Sequence, residues 1–214
     1  MDLFEIKDEC RKNLNKYTNK AFLTIPKIDK PIILDAGCGT GVPTLSIIEL
    51  CNGNIFAVDP DKYSINWLIK KVTALKLKDR IKIFNDSILN PALFNFKFDI
   101  ILAEGLLNVI GFEKGIQIFI NYMKDEGYLI IHDEYKNDSE KRGYFKGNNL
   151  KLLHSFELDE NVWLNEYFYC LKSKIEIFKE NHLFESELKV INDNIRNQNN
   201  LKSIYYILKH DTQY

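Results

Sequence analysis

The segment Ile32-Ile33-Leu34-Asp35-Ala36-Gly37-Cys38-Gly39-Thr40-Gly41 constrains this chain most. A short apolar run ends in an acid, three glycines follow at alternate positions, and a helical pattern opens behind them. Glycine lacks a Cβ, so the backbone can lie directly against a ligand there. The stretch therefore reads as a strand, a tight bend and a helix start, a geometry that brings main chain close to a nucleotide-sized molecule. Its spacing, D-x-G-x-G-x-G, differs from the G-x-G-x-x-G of dinucleotide sites, and its acid precedes the glycines.

Strands and helices alternate around this bend. Strands are expected at Ile32–Ala36, Asn54–Val58, Arg80–Phe84, Phe98–Leu102 and Tyr128–His132. Helices are expected at Val42–Cys51, closing at Asn52-Gly53, at Asp61–Lys76 with Tyr63, Trp67 and Leu75 inward, and at Phe112–Met123 with Phe112, Ile116, Phe119, Ile120 and Met123 inward. Short buried strands between helices imply a parallel sheet covered on both faces. Leu3, Ile6, Cys10, Leu14 and Tyr17 share one face of an opening amphipathic helix, and a helical piece at 21–25 stops before Pro26. Leu150, Leu152, His154, Phe156 and Leu158 alternate as in a strand. Asp159 can cap a helix to about Glu180 carrying Val162, Tyr167, Leu171, Ile175 and Phe178. Phe184, Leu188, Ile191 and Ile195 repeat at helical spacing, Asn192–Asn200 reads as a helix end plus loop, and Ser203–Lys209 reads as a strand.

The chain has 214 residues, 45% of them hydrophobic, enough for one well-cored α/β domain over 1–214, with a helical lead-in at 1–26 and a helical insertion at about 159–198. Net charge is −1 with scattered Lys and Arg. That charge builds no basic stripe, so a nucleic-acid partner is not expected. Cys10, Cys38, Cys51 and Cys170 are isolated in sequence, without C-x-x-C or metal-ligand spacing, so no metal is expected and a reduced, cytoplasmic chain is. No signal peptide is evident. No apolar run approaches the roughly 18 residues of a membrane span. Oligomeric state is not legible.

Acids stand at the end of each of the first four strands. Asp35 closes the first. Val58-Asp59-Pro60 closes the second, about 20 residues beyond the bend, where a carboxylate can accept from a ribose diol; Asp61 remains to cap the following helix. Asn85-Asp86-Ser87 follows the third, where Asp86 can accept from an adenine amine while the next N–H serves a ring nitrogen. Ala103-Glu104-Gly105 follows the fourth, at the carboxyl edge of the sheet, where Glu104 can hold an α-ammonium and favour a nearby cation. Four carboxylates on one edge oppose a pyrophosphate and suit a cationic adenosyl ligand. These features weigh against an NAD-dependent oxidoreductase.

Together, ILDAGCGTGVPTLSI, AVDPD, the Asn85-Asp86-Ser87 turn and FDIILAEGLLNVIGFEKG resemble the class I S-adenosylmethionine (SAM) dependent methyltransferases, most closely the UbiE-like branch. Tyr17–Phe22 is similar to the lead-in helix of that group, and Val162-Trp163, Tyr167 and Leu171 to a helix after its sixth strand. The resemblance implies a doubly wound, seven-stranded, mostly parallel sheet whose last strand enters antiparallel beside the fifth. It implies SAM as cofactor, with S-adenosylhomocysteine (SAH) as product, held by Asp35, Gly37, Gly39, Thr40, Gly41, Asp59, Pro60, Asp86, Ser87 and Glu104. It also implies that Tyr17 reaches over the cofactor. Lys124-Asp125-Glu126-Gly127 departs from the family's K-P-G-G turn, a turn that Gly127 alone can form.

A methyltransferase must align acceptor and methyl group and exclude water; a general base is needed only for some acceptors. His132, at the end of the fifth strand, is the candidate base, with Asp133, Trp163 and Tyr167 beside the acceptor. The chain lacks N-P-P-Y or D-P-P-Y after the fourth strand and a Pro-Cys nucleophile, which favours a small-molecule acceptor. A non-catalytic SAM- or SAH-binding protein is the competing reading.

Overall fold

A computed structural model describes residues 2–178, 182–197 and 201–211. In chain order the elements are α1 (Leu3–Arg11), a 3-10 turn (Lys12–Leu14), α2 (Asn15–Leu23), β1 (Ile32–Ala36), α3 (Val42–Leu50), β2 (Asn54–Val58), α4 (Lys62–Ala74), β3 (Ile81–Phe84), β4 (Phe98–Glu104), α5 (Leu107–Ile110), α6 (Phe112–Tyr122), β5 (Met123–Glu134), α7 (Asp138–Gly147), β6 (Leu150–Leu158), α8 (Glu160–Trp163), a π-helical turn (Leu164–Phe168), α9 (Tyr169–Ile175), a 3-10 turn (Glu176–Phe178), α10 (His182–Arg196) and β7 (Ser203–His210). The helix end expected near Glu180 lies outside the described residues, as does the side chain of Phe178.

The seven strands form one sheet in the order β3-β2-β1-β4-β5-β7-β6. β1 to β5 are parallel, and β7 runs antiparallel to both β5 and β6. The doubly wound, mostly parallel sheet with an antiparallel last strand is therefore as expected. The order reverses between β1 and β4, so the strand tips there open a crevice at the switch point.

Alternation along the strands divides two cores. Leu34, Ala36, Ile101, Ala103, Leu129, Ile131 and Tyr206 face Ile116 and Phe119 of α6 and Phe145 of α7. Ile33, Ile55, Ala57, Ile100, Leu102, Ile130 and Tyr205 face Ala21 of α2, Ile47 and Ile48 of α3, and Ile65, Leu68 and Val72 of α4. Each such aliphatic side chain contributes roughly 1.5–3 kcal/mol by leaving water. A third cluster joins Ile6 and Cys10 of α1 to Leu171 and Ile175 of α9 and Ile191 of α10. These helices lie over the carboxyl edge of the sheet instead of against its faces.

Three local expectations are corrected. The inward face of α4 is Ile65, Leu68 and Val72; Tyr63 and Leu75 are 76% and 56% exposed and Trp67 is half-buried. Both faces match a helical period, and the Ile/Leu/Val stripe is the one the sheet buries. β5 starts at Met123 and contains an irregularity opposite Phe98–Ile100, with Glu126, not Gly127, in the left-handed region (φ 62°). Cys10 and Cys170 are disulfide-bonded, not reduced; only Cys38 and Cys51 are free. The partners are 160 positions apart, and only the packing of α1 on α9 brings them together.

Candidate cofactor and acceptor site

The glycine bend follows β1 directly. Gly37 and Cys38 N–H groups donate to Val58 O at 2.9 and 3.1 Å, tying the bend to the tip of β2. Gly37, Gly39 and Gly41 have φ of +71°, +51° and +77°. At Gly41 a Cβ would also stand 2.3 Å from Leu68 Cδ1. This position needs glycine for its backbone angle and for its packing, since other residues pay for left-handed φ.

Asp59 Oδ2 accepts from Gly39 N–H at 2.9 Å, and Oδ1 accepts from Asp61 N–H at 2.8 Å. Asp61 caps α4, accepting from Tyr63 and Ser64 N–H, the capping role expected of it. A carboxylate has about four acceptor positions. The two backbone contacts orient Asp59 and leave one position on each oxygen, the valence a vicinal diol requires. Asn85 Nδ2 donates to the carbonyls of Asp59 and Pro60 at 3.1 and 3.0 Å, joining the β2 and β3 tips. Asp86 accepts from its neighbour Ser87 N–H at 2.7 Å and from Asn90 Nδ2 at 3.0 Å. The Ser87 N–H expected to serve a ring nitrogen is therefore engaged by Asp86 itself.

Asp35 does not face the crevice openly. It is 3% exposed and accepts from Thr44 Oγ1 at 2.5 Å. Burial raises its pKa to about 7, and the charges of Glu104 and Asp59 push the same way. That mutual influence reflects the gathering of acids at one sheet edge.

Glu104 ends β4 with both carboxylate oxygens engaged. Oε2 pairs with Arg11 Nη2 at 2.5 Å, while Oε1 accepts from Thr18 Oγ1 at 2.7 Å and Tyr205 OH at 2.9 Å. Arg11 comes from α1 and was not singled out in the sequence. Its other terminal nitrogen, Nη1, is buried without a hydrogen-bond partner. A second α1 acid, Asp8, accepts from Thr40 Oγ1 at 2.5 Å and Trp67 Nε1 at 2.9 Å and pairs with Lys71. Thus α1 crosses the crevice, touching the glycine bend on one side and the β4 tip on the other.

Beside Glu104 lies a cavity of about 280 Å³, lined by Arg11, Gly105, Asn108, His132, Asp133, Trp163, Phe168 and Ser203, among others. His132 is 5% exposed and stacks between Tyr205 and Trp163, with ring centroids at 4.1 and 5.8 Å. Burial lowers its pKa to about 4, against the raising pull of Glu104. Trp163 Nε1 donates to Ser203 Oγ at 2.9 Å, and Ser203 Oγ lies 2.9 Å from His132 Nε2. Since indole N–H only donates, the Ser203 proton is free for His132. Ser203 reads in sequence as one more strand residue, and nothing marked it.

The remaining candidates separate. Asp133 lines the cavity, but its carboxylate is held by Lys141 in a buried pair at 2.7 Å. Tyr167 lies edge-on to Trp163 and supports it from the third core, with burial pushing its phenol to about 12. Tyr17 donates to Glu166 Oε1 at 2.8 Å on the π-helical turn. The arrangement fits SAM through the chemistry of its donors: a carboxylate with diol valence, a glycine bend, and Glu104 already holding a cation, the Arg11 guanidinium.

Residues 29–207 match the family described as a methyltransferase domain. The chain belongs to that family. Ribosomal protein L11 methyltransferase of Thermoanaerobacter pseudethanolicus (strain ATCC 33223 / 39E) is 27% identical over 120 residues, covering 56% of this chain. The chain spans 37% of that relative's length. Among solved structures, the cyclase SpnF is similar with TM-score 0.78 at 12% identity, covering 92% of this chain and 80% of that one. A SAM-dependent methyltransferase from Thiobacillus denitrificans in complex with SAH is similar with TM-score 0.70 at 11% identity, covering 91% and 90%. This methyltransferase domain thus agrees in class and cofactor with the expectation from the glycine bend. No helix of the described residues is long and apolar enough to cross a membrane.

Proposed function

We propose that this methyltransferase domain transfers a methyl group from SAM to a small-molecule acceptor seated in the cavity between Glu104, His132 and Trp163. The observation that carries the reading is the junction of two sites at one residue: Glu104 closes the row of strand-tip acids and also lines the 280 Å³ cavity. A volume of this order suits a small molecule. When bound, SAM supplies the methyl group as an activated sulfonium substituent. Asp59 holds the ribose diol, Asp86 the adenine amine, and Glu104 the α-ammonium once Arg11 is displaced; Gly37, Gly39, Thr40, Gly41, Pro60 and Ser87 form the bed, and Tyr17 closes over it from α2. Asp35 supports the bend from beneath through Thr44.

His132 is neutral at physiological pH and so able to accept a proton. Ser203 lines the same cavity, 2.9 Å from Nε2, able to take the acceptor's proton as it passes its own to Nε2. A base with pKa about 4 matches an acceptor whose group is already acidic or releases its proton only as attack proceeds. Trp163, with Tyr167 behind it, roofs the acceptor, and Asp133 lines its far side. We place the chain on the UbiE-like branch, as one domain, on the strength of its sequence motifs. The similar fold of a cyclase means that fold alone does not choose the reaction.

The experiment is transfer of labelled methyl from SAM into a metabolite extract, fractionated into small molecules, protein and RNA. Label in the small-molecule fraction supports the proposal. Label in protein or RNA moves the acceptor class. SAH binding without transfer to any fraction favours the non-catalytic alternative.

A further inference from the structure

We infer that the Cys10–Cys170 disulfide locks α1 across the crevice, so that its reduction opens the way for cofactor entry; this rests on the cofactor reading above. Cys10 lies between the two α1 residues that occupy that site. Asp8 sits on Thr40 of the glycine bend, and Arg11 sits on Glu104. Both Thr40 and Glu104 must be released before a ligand can use them. The ion pairs from α1 to the outer helices, Lys7–Glu187 and Glu9–Lys174, are partly exposed and contribute little; the packing of Ile6 on Leu171, Ile175 and Ile191 is the main non-covalent tie, and it can open and close thermally. The bond to Cys170 on α9 is the tie that thermal opening cannot break.

The chemistry is accessible from one side. Cys10 is fully buried, but Cys170 is half-buried. The thiolate of a dithiol attacks Sγ of Cys170, forming a mixed disulfide and releasing the Cys10 thiolate, which takes up a proton. The second thiol of the dithiol then displaces Cys170 and closes the reagent's own disulfide, so two electrons pass from dithiol to protein. In a reducing compartment a disulfide that forms at all is usually transient or redox-sensing, which fits a gate and not a permanent staple.

The test compares protein oxidised with oxidised glutathione, the same protein after dithiothreitol, and Cys170→Ala. Hydrogen exchange of the Leu3–Arg11 amides and the association rate of SAH are measured. Reduction and Cys170→Ala should each speed both by on the order of tenfold or more, because apparent binding follows the open fraction; dithiothreitol should leave Cys170→Ala unchanged. The gate is overturned if α1 exchange and SAH association are the same in both redox states, if α1 loosens without faster association, or if Cys10 and Cys170 stay alkylatable after oxidation. SAH binding to no form at all overturns the cofactor reading and the gate with it.

Discussion

The Arg11 guanidinium rests on the Glu104 carboxylate, Nη2 to Oε2 at 2.5 Å, and leaves Nη1 buried and unpaired. A cation from the first helix thus fills the place where the sequence puts the cationic end of a ligand. On the proposed function the pair is an internal stand-in, neutralising Glu104 until the ligand's ammonium takes the place of Arg11. Breaking it from one side leaves a largely buried charge, which is costly.

Glu104→Gln keeps the shape and removes the charge. SAH affinity should fall by roughly 1.5–3 kcal/mol, the scale of hydrogen bonds to charged groups, measured by calorimetric titration of reduced protein. Unchanged affinity contradicts the ammonium assignment. Arg11→Met should instead tighten or preserve SAH binding while lowering stability to urea, since Glu104 loses its partner only in the free protein.

Asp59→Ala removes both the ribose acceptor and the anchor of Gly39 N–H. Binding of SAH should weaken by roughly 1–3 kcal/mol. Asp59→Asn retains an acceptor oxygen and should lose less. Equal losses in the two variants would point to loop collapse instead of lost diol contacts.

Two glycines in the bend should respond differently to alanine. Gly41→Ala adds left-handed strain to a 2.3 Å approach to Leu68, for a loss of about 2–4 kcal/mol in chemical denaturation. Gly39→Ala meets nothing within 4 Å and should cost only the strain, about 1–2 kcal/mol. Similar losses at both positions would contradict the packing described.

The strands β1, β2 and β4 and the second half of β5 were legible because each carries a short apolar run beside a Gly, Pro or Asn, and the acids at the β1, β2 and β4 tips follow from those ends. The inward face of α4 was not: Tyr63 and Trp67 are one helical turn apart and mimic a buried stripe, while Ile65 and Leu68 make the real one. Arg11 and Ser203 were missed for a tertiary reason. Periodicity says which face of α1 is apolar but not which crevice the helix crosses, and a serine opening a strand carries no signal until Trp163 and His132 are beside it. The Cys10–Cys170 bond was hidden by the same gap between local pattern and distant packing.

Buried titrations give opposing pH slopes. Folded Asp35 keeps its proton up to about pH 7, whereas its ordinary value is 3.8. The folded state binds more protons in that window, so this carboxyl's contribution falls as pH rises through it. His132 resists protonation down to about pH 4, against an ordinary 6.5; its contribution is complete above 6.5 and is lost as pH falls toward 4. The two slopes oppose in the wild type. Asp35→Asn removes the first, so the variant should gain stability over wild type between pH 4 and 8, by about 4 kcal/mol. A difference independent of pH would contradict a buried, protonatable Asp35.

Methyl transfer gives a second reading of His132. Once an acceptor is known, His132→Asn should lower kcat and leave SAH affinity alone, and the wild-type rate should be flat from pH 6 to 8 on the His132 account because that ring is already neutral. Wild-type kcat retained in the variant would remove the base.

The central claim is that carboxylates at the strand tips hold a cationic adenosyl ligand over the glycine bend. Parallel calorimetric titrations of the reduced protein with SAM, SAH and NAD test it most directly. The account predicts one saturable site for SAM and SAH and no heat from NAD. Saturable binding of NAD, or silence toward all three, would contradict it.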